Sequence, residues 1–311
     1  MNLLRGPLLA AAESPWLHRQ ATRRRFVRRA VSRFMPGETL DEGLDAAIRL
    51  RDQGLSSILT YLGENVGDRA EAEAVVQHYL QALDRIRRVP GLDAEVSIKL
   101  TQLGLDVAPE VACENAARIV TRARELGCRV WIDMESTRYT DVTIESFVHL
   151  RALDPRLGIA LQAYLHRTRA DVERLLPLGA AIRLVKGAYR EPPELAMPRK
   201  RDVDQSFFAL VGRLLDAQAR AAGVWITVAT HDLALIARVQ ALVASQGVPK
   251  DRFEFAMLYG IQRGEQVRLA RQGYRTRVLI SYGSHWFPWY MRRLAERPAN
   301  LLFVLRNALP G

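Results

Sequence analysis

The residues of this chain that could do chemistry are polar side chains set singly into or just after apolar, β-branched runs. Lys99 follows Val96-Ser97-Ile98, and Asp133 follows Val130-Trp131-Ile132. Gln162 and Tyr164 close a third run, Arg183, Lys186 and Tyr189 stand within and after a fourth, and Thr230-His231-Asp232 follows a fifth. Near the carboxyl end, Trp286 to Glu296 reads as a helical segment carrying Arg292, Arg293 and Glu296. Such a set, cationic and containing aromatic rings, suits an anionic small substrate and a large organic cofactor. The chain has only four lysines, Lys99, Lys186, Lys200 and Lys250, against forty-one arginines. A compact ammonium and a planar guanidinium are not interchangeable at a shaped site, so Lys99 and Lys186, both inside apolar runs, mark positions that call for Lys.

Each residue taken alone also has a plainer reading. Lys99 with Asp133 describes equally a buried ion pair that helps set strand register. Arg183 lies in an otherwise apolar strand, where a guanidinium without a carboxylate or ligand would be costly. His231 fits a hydrogen-bonded loop-end histidine. Arg292 and Arg293 fit a solvated helix face, since consecutive helical residues point about 100° apart. The functional reading rests on their joint placement at strand ends. Metal chemistry has little support, because the 6 histidines are scattered without H-x-H or H-E-x-x-H spacing. No Ser or Cys sits in a G-x-S-x-G setting that would suggest a nucleophilic triad. Cys113 and Cys128 have neither metal nor C-x-x-C spacing, which points to a reducing cytoplasm.

The elements that must position these residues alternate strand and helix. Eight strand candidates stand out: 55–60, 95–100, 129–134, 157–163, 181–187, 224–229, 253–257 and 276–281. Amphipathic stretches at 70–88, 108–126, 143–153, 170–176, 204–222, 233–245 and 262–272 lie between them. Eight βα units predict a (β/α)8 barrel, in which chemistry sits at the carboxyl ends of the strands, where these polar residues fall. Absence of G-x-G-x-x-G after the first strand weakens the open-sheet dinucleotide alternative. Residues 1–45 read as a helical N-terminal arm, with Pro36-Gly37 as a break and Thr39 with Glu42 as a capping box for the next helix. Residues 46–311 form the barrel domain.

A length of 311 residues with 49% hydrophobic and 25% charged residues suits one large domain around a buried core. No apolar run reaches the roughly 18 residues needed to cross a bilayer, and no secretion signal is evident. The formal charge of +11 draws heavily on Arg19, Arg23, Arg24, Arg25, Arg28, Arg29 and Arg33. These describe either a solvated helix face or a weak peripheral attraction to acidic phospholipid at the inner face of the cell membrane. No nucleic-acid-binding module accompanies them, and a nucleic-acid partner is not expected.

The runs Ser97-Ile98-Lys99-Leu100, Ile132-Asp133-Met134-Glu135, Leu161-Gln162-Ala163-Tyr164 and Ala229-Thr230-His231 combine with two longer ones. These are Arg183-Leu184-Val185-Lys186-Gly187-Ala188-Tyr189 and Met291-Arg292-Arg293-Leu294-Ala295-Glu296-Arg297-Pro298-Ala299-Asn300. In this order they resemble the proline dehydrogenase family, in its short bacterial monofunctional branch related to the catalytic domain of the bifunctional proline utilization A proteins. The resemblance runs from about residue 50 to residue 307 and implies an FAD-binding (β/α)8 barrel whose eighth helix covers the barrel mouth.

It further implies that Arg292 and Arg293 clamp the carboxylate of L-proline, with Glu296 orienting one of them. Lys99 would be the substrate-side lysine with Asp133 as its acidic partner, and Tyr189 and Leu258 would contact the substrate ring. For the cofactor it implies Met134 and Gln162 at the flavin ring system, Arg183 near N5, and Lys186, Gly187 and Ala188 at the cofactor edge. Thr230 and His231 would serve the pyrophosphate and adenosine end. The implied reaction is hydride transfer from proline C5 to flavin N5, giving Δ1-pyrroline-5-carboxylate, with electrons passed on to a membrane quinone or another acceptor. Leu279, Ser281, Trp289 and Ala256 depart from the family's usual Tyr, Pro, Tyr and Gln. These departures leave open a related imino acid such as hydroxyproline as substrate. An inactive barrel serving as a binding module is the non-enzymatic alternative.

Overall fold

The computed structural model describes residues 31–287 and 289–291. Eight parallel strands close into a barrel in sequence order: β1 Ser56–Tyr61, β2 Ala94–Ile98, β3 Val130–Ile132, β4 Gly158–Gln162, β5 Ala181–Val185, β6 Trp225–Ala229, β7 Phe253–Leu258 and β8 Arg275–Tyr282. Closure is made by β1 against β8, from Ser56 opposite Arg277 to Tyr61 opposite Tyr282. The expected (β/α)8 barrel is therefore observed.

Helices α1 Leu40–Arg51, α2 Arg69–Arg88, α3 Pro109–Glu125, α4 Thr140–Leu150, α5 Thr168–Leu175, α6 Lys200–Leu215, α7 Ala217–Ala221, α8 Leu233–Ser245 and α9 Arg263–Arg271 accompany the strands. Helix α2 illustrates the local logic. Asp68 caps its amino end by accepting from Glu71 N, and Ala72, Val75, Val76, Tyr79, Leu83 and Ile86 recur at three- and four-residue spacing to bury one face. The Thr39–Glu42 capping box forms as expected, with Thr39 N donating to Glu42 Oε2 at 2.9 Å and Glu42 N donating to Thr39 Oγ1 at 3.3 Å. The boundary expected at residue 45 falls inside α1, whose buried Leu40, Leu44, Ala47 and Leu50 join the main core.

Two differences from the sequence reading have local causes. The long helix expected over 204–222 is two helices, because Asp216 is extended (φ −65°, ψ 169°) and caps α7 by accepting from Ala219 N at 2.8 Å. The third strand is three residues long because its pairing with β4 spans only Trp131–Gly158 and Ile132–Ile159. Asp133 and Met134 thereby leave the ladder with β4, although Asp133 N still donates to Ile98 O at 2.8 Å.

The barrel floor is polar. Arg277 Nε donates to Glu254 Oε2 at 2.9 Å, and Arg277 Nη1 donates to Ser57 O at 3.1 Å and Asp93 Oδ1 at 3.2 Å. The helix after β8, described at residues 286, 287 and 289–291, forms a separate apolar cluster with the N-terminal segment. Val31, Phe34, Met35, Leu62, Ile261, Trp286, Phe287, Trp289 and Tyr290 are buried together. Trp286 Nε1 donates to Glu38 Oε1 at 3.1 Å. Gly260 permits the close approach of these segments: its φ is +77°, and a Cβ there would lie 1.7 Å from Arg33 O.

Candidate active site

Strand alternation carries Ser97, Lys99, Asp133, Gln162 and Arg183 to the carboxyl-terminal end of the barrel. Asp133 is their centre. Its Oδ2 accepts from Lys99 Nζ at 2.8 Å, and its Oδ1 accepts from Ser97 Oγ at 2.8 Å and from Arg183 Nη2. Arg183 Nη2 also donates to Ser97 Oγ at 3.0 Å. Lys99 and Arg183 are both buried. Burial alone would raise the Asp133 carboxyl, but Lys99 and Arg183 outweigh it and hold the group at about 2. Burial would lower the Lys99 ammonium, yet the Asp133 carboxylate, with Glu64 and Tyr79 beyond it, holds Lys99 above its usual range. The ionised forms are thus the resting ones: two cations share one carboxylate, and the group keeps a net positive charge for an anionic or electron-rich ligand.

Two buried polar atoms at this centre have no hydrogen-bond partner among the described residues, Gln162 Oε1 and Arg183 Nη1. Gln162 spends its amide hydrogens on Glu135 O at 2.7 Å and Met134 O at 3.3 Å, which turns the free carbonyl oxygen away from β3. One unpaired acceptor and one unpaired donor on adjacent strands suit a planar heterocycle offering both a ring N–H and a ring nitrogen or carbonyl. That pattern fits a flavin.

Glu135, just beyond β3, pins the loop after β2: its Oε2 accepts from Thr101 Oγ1 at 2.5 Å and its Oε1 from Thr101 N at 3.2 Å. Burial raises its carboxyl to about 7, against the pull of the Thr101 bonds and Lys99.

The remaining expected residues divide by location. Tyr189 reaches the loop after β1, its hydroxyl donating to Glu64 Oε1 at 3.3 Å. Gly187 has φ +115°, and a Cβ there would sit 2.2 Å from the Tyr164 ring, so only glycine carries the chain past that tyrosine into half-buried Ala188. Lys186 is not free: its Nζ donates to Asp204 Oδ1 at 2.5 Å and Asp232 Oδ2 at 3.0 Å, and Lys200 Nζ donates to the same Asp232 oxygen at 2.9 Å. His231 Nε2 accepts from Leu258 N at 2.8 Å, tying the ends of β6 and β7 and leaving the neutral ring's proton on Nδ1. Thr230 Oγ1 accepts from Asp232 N at 3.2 Å. Met134 is buried and Leu258 half-buried, the latter against the cluster below the last helix. Arg292, Arg293 and Glu296 lie outside the described residues.

Sequence reasoning assigned no role to Ser97, Glu64, Trp131 or Glu135. Ser97 was legible in principle, since it stands two residues before Lys99 and so shares its face of the strand. Glu64 carries no such signal, because its place depends on how the loop after β1 folds back.

Comparison with known proteins extends the geometry. A sequence profile of the family described as proline dehydrogenase matches residues 44–306. Proline dehydrogenase 1 of Bacillus subtilis is 38% identical over 282 residues, covering 91% of each chain. The proline dehydrogenase of Deinococcus radiodurans is 36% identical over 315 residues, 100% of this chain and 99% of that one. The fold is shared with proline utilization A (PutA) from Bdellovibrio bacteriovorus, crystallised after inactivation by N-propargylglycine. That match has a TM-score of 0.77 and 23% identity, covering 86% of this chain and 32% of the larger one. With a profile match across most of its length, full-length relatives well above 30% identity and the same barrel, this chain belongs to the proline dehydrogenase family.

Proposed function

We propose that this chain oxidises L-proline to Δ1-pyrroline-5-carboxylate with FAD as its cofactor, in the cytoplasm or at the inner face of the membrane. The observation that carries the reading is the buried pair of unpaired atoms, Gln162 Oε1 and Arg183 Nη1, beside the Lys99–Asp133–Arg183 system in a member of this family. FAD would supply the two-electron acceptor, taking a hydride from proline C5 at N5 and passing the electrons to a membrane quinone or another acceptor.

The chain's own residues hold, orient and neutralise. Arg183 places positive charge where electron density accumulates on reduction, and Gln162 and Met134 flank the ring system. Lys186, Gly187 and Ala188 serve the cofactor edge, and Thr230 and His231 the nucleotide end. Lys186 sits between Asp204 and Asp232, so its contribution is made together with those carboxylates. Arg292 and Arg293 hold the proline carboxylate by bidentate, charge-assisted bonds, oriented by Glu296. Lys99, Tyr189 and Leu258 complete the substrate side. Asp133 keeps Lys99 and Arg183 charged and aligned, and the buried walls exclude water from the reacting centre.

The test is spectroscopic. Purified protein is expected to be yellow, with the visible absorption of an oxidised flavin that bleaches anaerobically on adding L-proline. A colourless protein that takes up no FAD on incubation would sink the reading and favour an inactive barrel.

A further inference from the structure

Arg183 has a neighbour that the roles above leave out. Trp131 lies two residues before Asp133 on β3 and is fully buried. The guanidinium carbon of Arg183 sits over its ring, 5.3 Å from the centroid, inside the roughly 6 Å reach of a cation–π contact. The ring is held from below, its Nε1 donating to Glu95 Oε2 at 2.6 Å. Glu95 is fixed in turn by Arg277 at 3.5 Å and Arg129 at 3.7 Å, which joins it to the polar barrel floor. Space for the ring comes from the next strand. Trp131 is in register with Gly158, and a Cβ on Gly158 would fall 2.3 Å from Trp131 Cε3. The φ of Gly158 is not in the left-handed region, so glycine is required there for room and not for backbone conformation.

The charge count shows what the ring supplies. Lys99 and Arg183 share the single Asp133 carboxylate, so this trio carries one more positive than negative charge, with Glu64 acting on Lys99 from further off. Arg183 Nη2 is occupied by Asp133 and Ser97, while Nη1 has no partner among the described residues. A guanidinium so placed could turn to engage Asp133 with both nitrogens. The electron-rich indole face opposes that rotation by offering negative density in a dry setting, where a cation–π contact is strongest.

We propose that Trp131 is the positioning residue of Arg183. Its indole face seats the guanidinium so that Nη1 stays available to the bound cofactor, while Glu95 and Gly158 hold the ring in place. This assignment rests on the flavin reading above. Its consequence is a cofactor whose reduction is favoured in proportion to the electron density of the Trp131 ring.

Fluorination of tryptophan withdraws that density with almost no change of shape, so the experiment can be run on the intact fold. The midpoint potential of the bound flavin would be measured by spectroelectrochemistry in protein made with tryptophan, 5-fluorotryptophan or a difluorotryptophan. The same series would be run in Trp131→Phe and, as an independent background, in Gly158→Ala, which drives the indole from its seat. The potential should fall stepwise with fluorination in the wild-type sequence, each step weakening the reduction equilibrium about two- to fivefold, and the steps should vanish in both backgrounds. A potential that ignores fluorination, or steps that persist without a seated Trp131, would overturn the assignment while leaving the flavin reading standing. Wild-type protein that binds no flavin would instead remove the reading on which it depends.

Discussion

Asp133 accepts from three side chains, so its removal leaves Lys99 and Arg183 as buried cations facing each other. Breaking a buried pair from one side costs about 3–5 kcal/mol, so Asp133→Asn should lower unfolding free energy by that order in urea titrations at pH 7. Because the folded-state carboxyl is held at about 2, below its ordinary 3.8, its contribution is complete above about pH 4 and is lost as pH falls toward 2. The gap between wild type and Asp133→Asn should therefore narrow by about 2 kcal/mol across that window. Glu135 has the opposite sign. Its folded-state carboxyl is raised from 4.5 to about 7, so wild-type stability declines as pH rises between those values. Glu135→Gln should remove that decline, gaining up to about 3 kcal/mol relative to wild type between pH 4.5 and 7.5. Equal pH profiles for the two proteins would show that Glu135 does not titrate there. Leu279 and Ser281 are the family departures for which an effect on substrate choice is expected. Leu279 joins the small interior cluster of Ile58, Trp131 and Ala181, and Ser281 Oγ is buried without a partner among the described residues. If Leu279 lines the proposed substrate site, that wall is roomier and more apolar than a tyrosine would make it, and uncompensated burial of a ring hydroxyl costs about 1–3 kcal/mol. Wild type should prefer L-proline over trans-4-hydroxy-L-proline in kcat/KM, and Leu279→Tyr should widen the preference; wild type preferring hydroxyproline would overturn the substrate assignment.

Among the elements, the helix after β8 depends most on partners distant in sequence. Its described residues Trp286, Phe287, Trp289 and Tyr290 pack on Phe34 and Met35, and Trp286 is bonded to Glu38. The chain passes directly from Met291 to Arg292 and Arg293, so the packing of the segment at 31–38 is expected to bear on the proposed substrate clamp. Phe34→Ala should cost about 3–5 kcal/mol as a large-to-small core change and raise the KM for proline, with the flavin potential unaltered. Steady-state kinetics alongside spectroelectrochemistry separate these effects. The clamp itself should respond differently: Arg292→Met or Arg293→Met should keep the flavin and weaken proline binding about 10- to 150-fold, as expected for losing a charge-assisted contact of about 1.5–3 kcal/mol.

Over the whole molecule the formal charge is +11, no helix among the described residues is long and apolar enough to cross a membrane, and the contact proposed with a lipid-held electron acceptor is one of surface attraction. If the arginines between residues 19 and 33 provide it, co-sedimentation with acidic vesicles should be strong at low salt. It should fall steeply as ionic strength rises toward 0.15 M, where screening acts over about 8 Å. No sedimentation at low salt would leave that run as a solvated face.

The sequence by itself determined the barrel and marked most of the polar residues that gather at the carboxyl ends of its strands, because a βα unit is a local pattern. Period-2 and period-3.6 burial repeat within ten to twenty residues, and Lys99, Asp133, Gln162 and Arg183 each announce themselves as single polar groups within or at the ends of apolar runs. It also marked Gly187 by the motif that contains it. Only the tertiary structure decided which of these groups share partners. Ser97 and Arg183 are 86 positions apart and meet on one hydroxyl, Gly158 is glycine because of an indole on another strand, and Lys186 is already held by Asp204 and Asp232. Such relations follow from strand register and barrel closure, which bring side chains together by their height on the barrel wall and not by their distance along the chain.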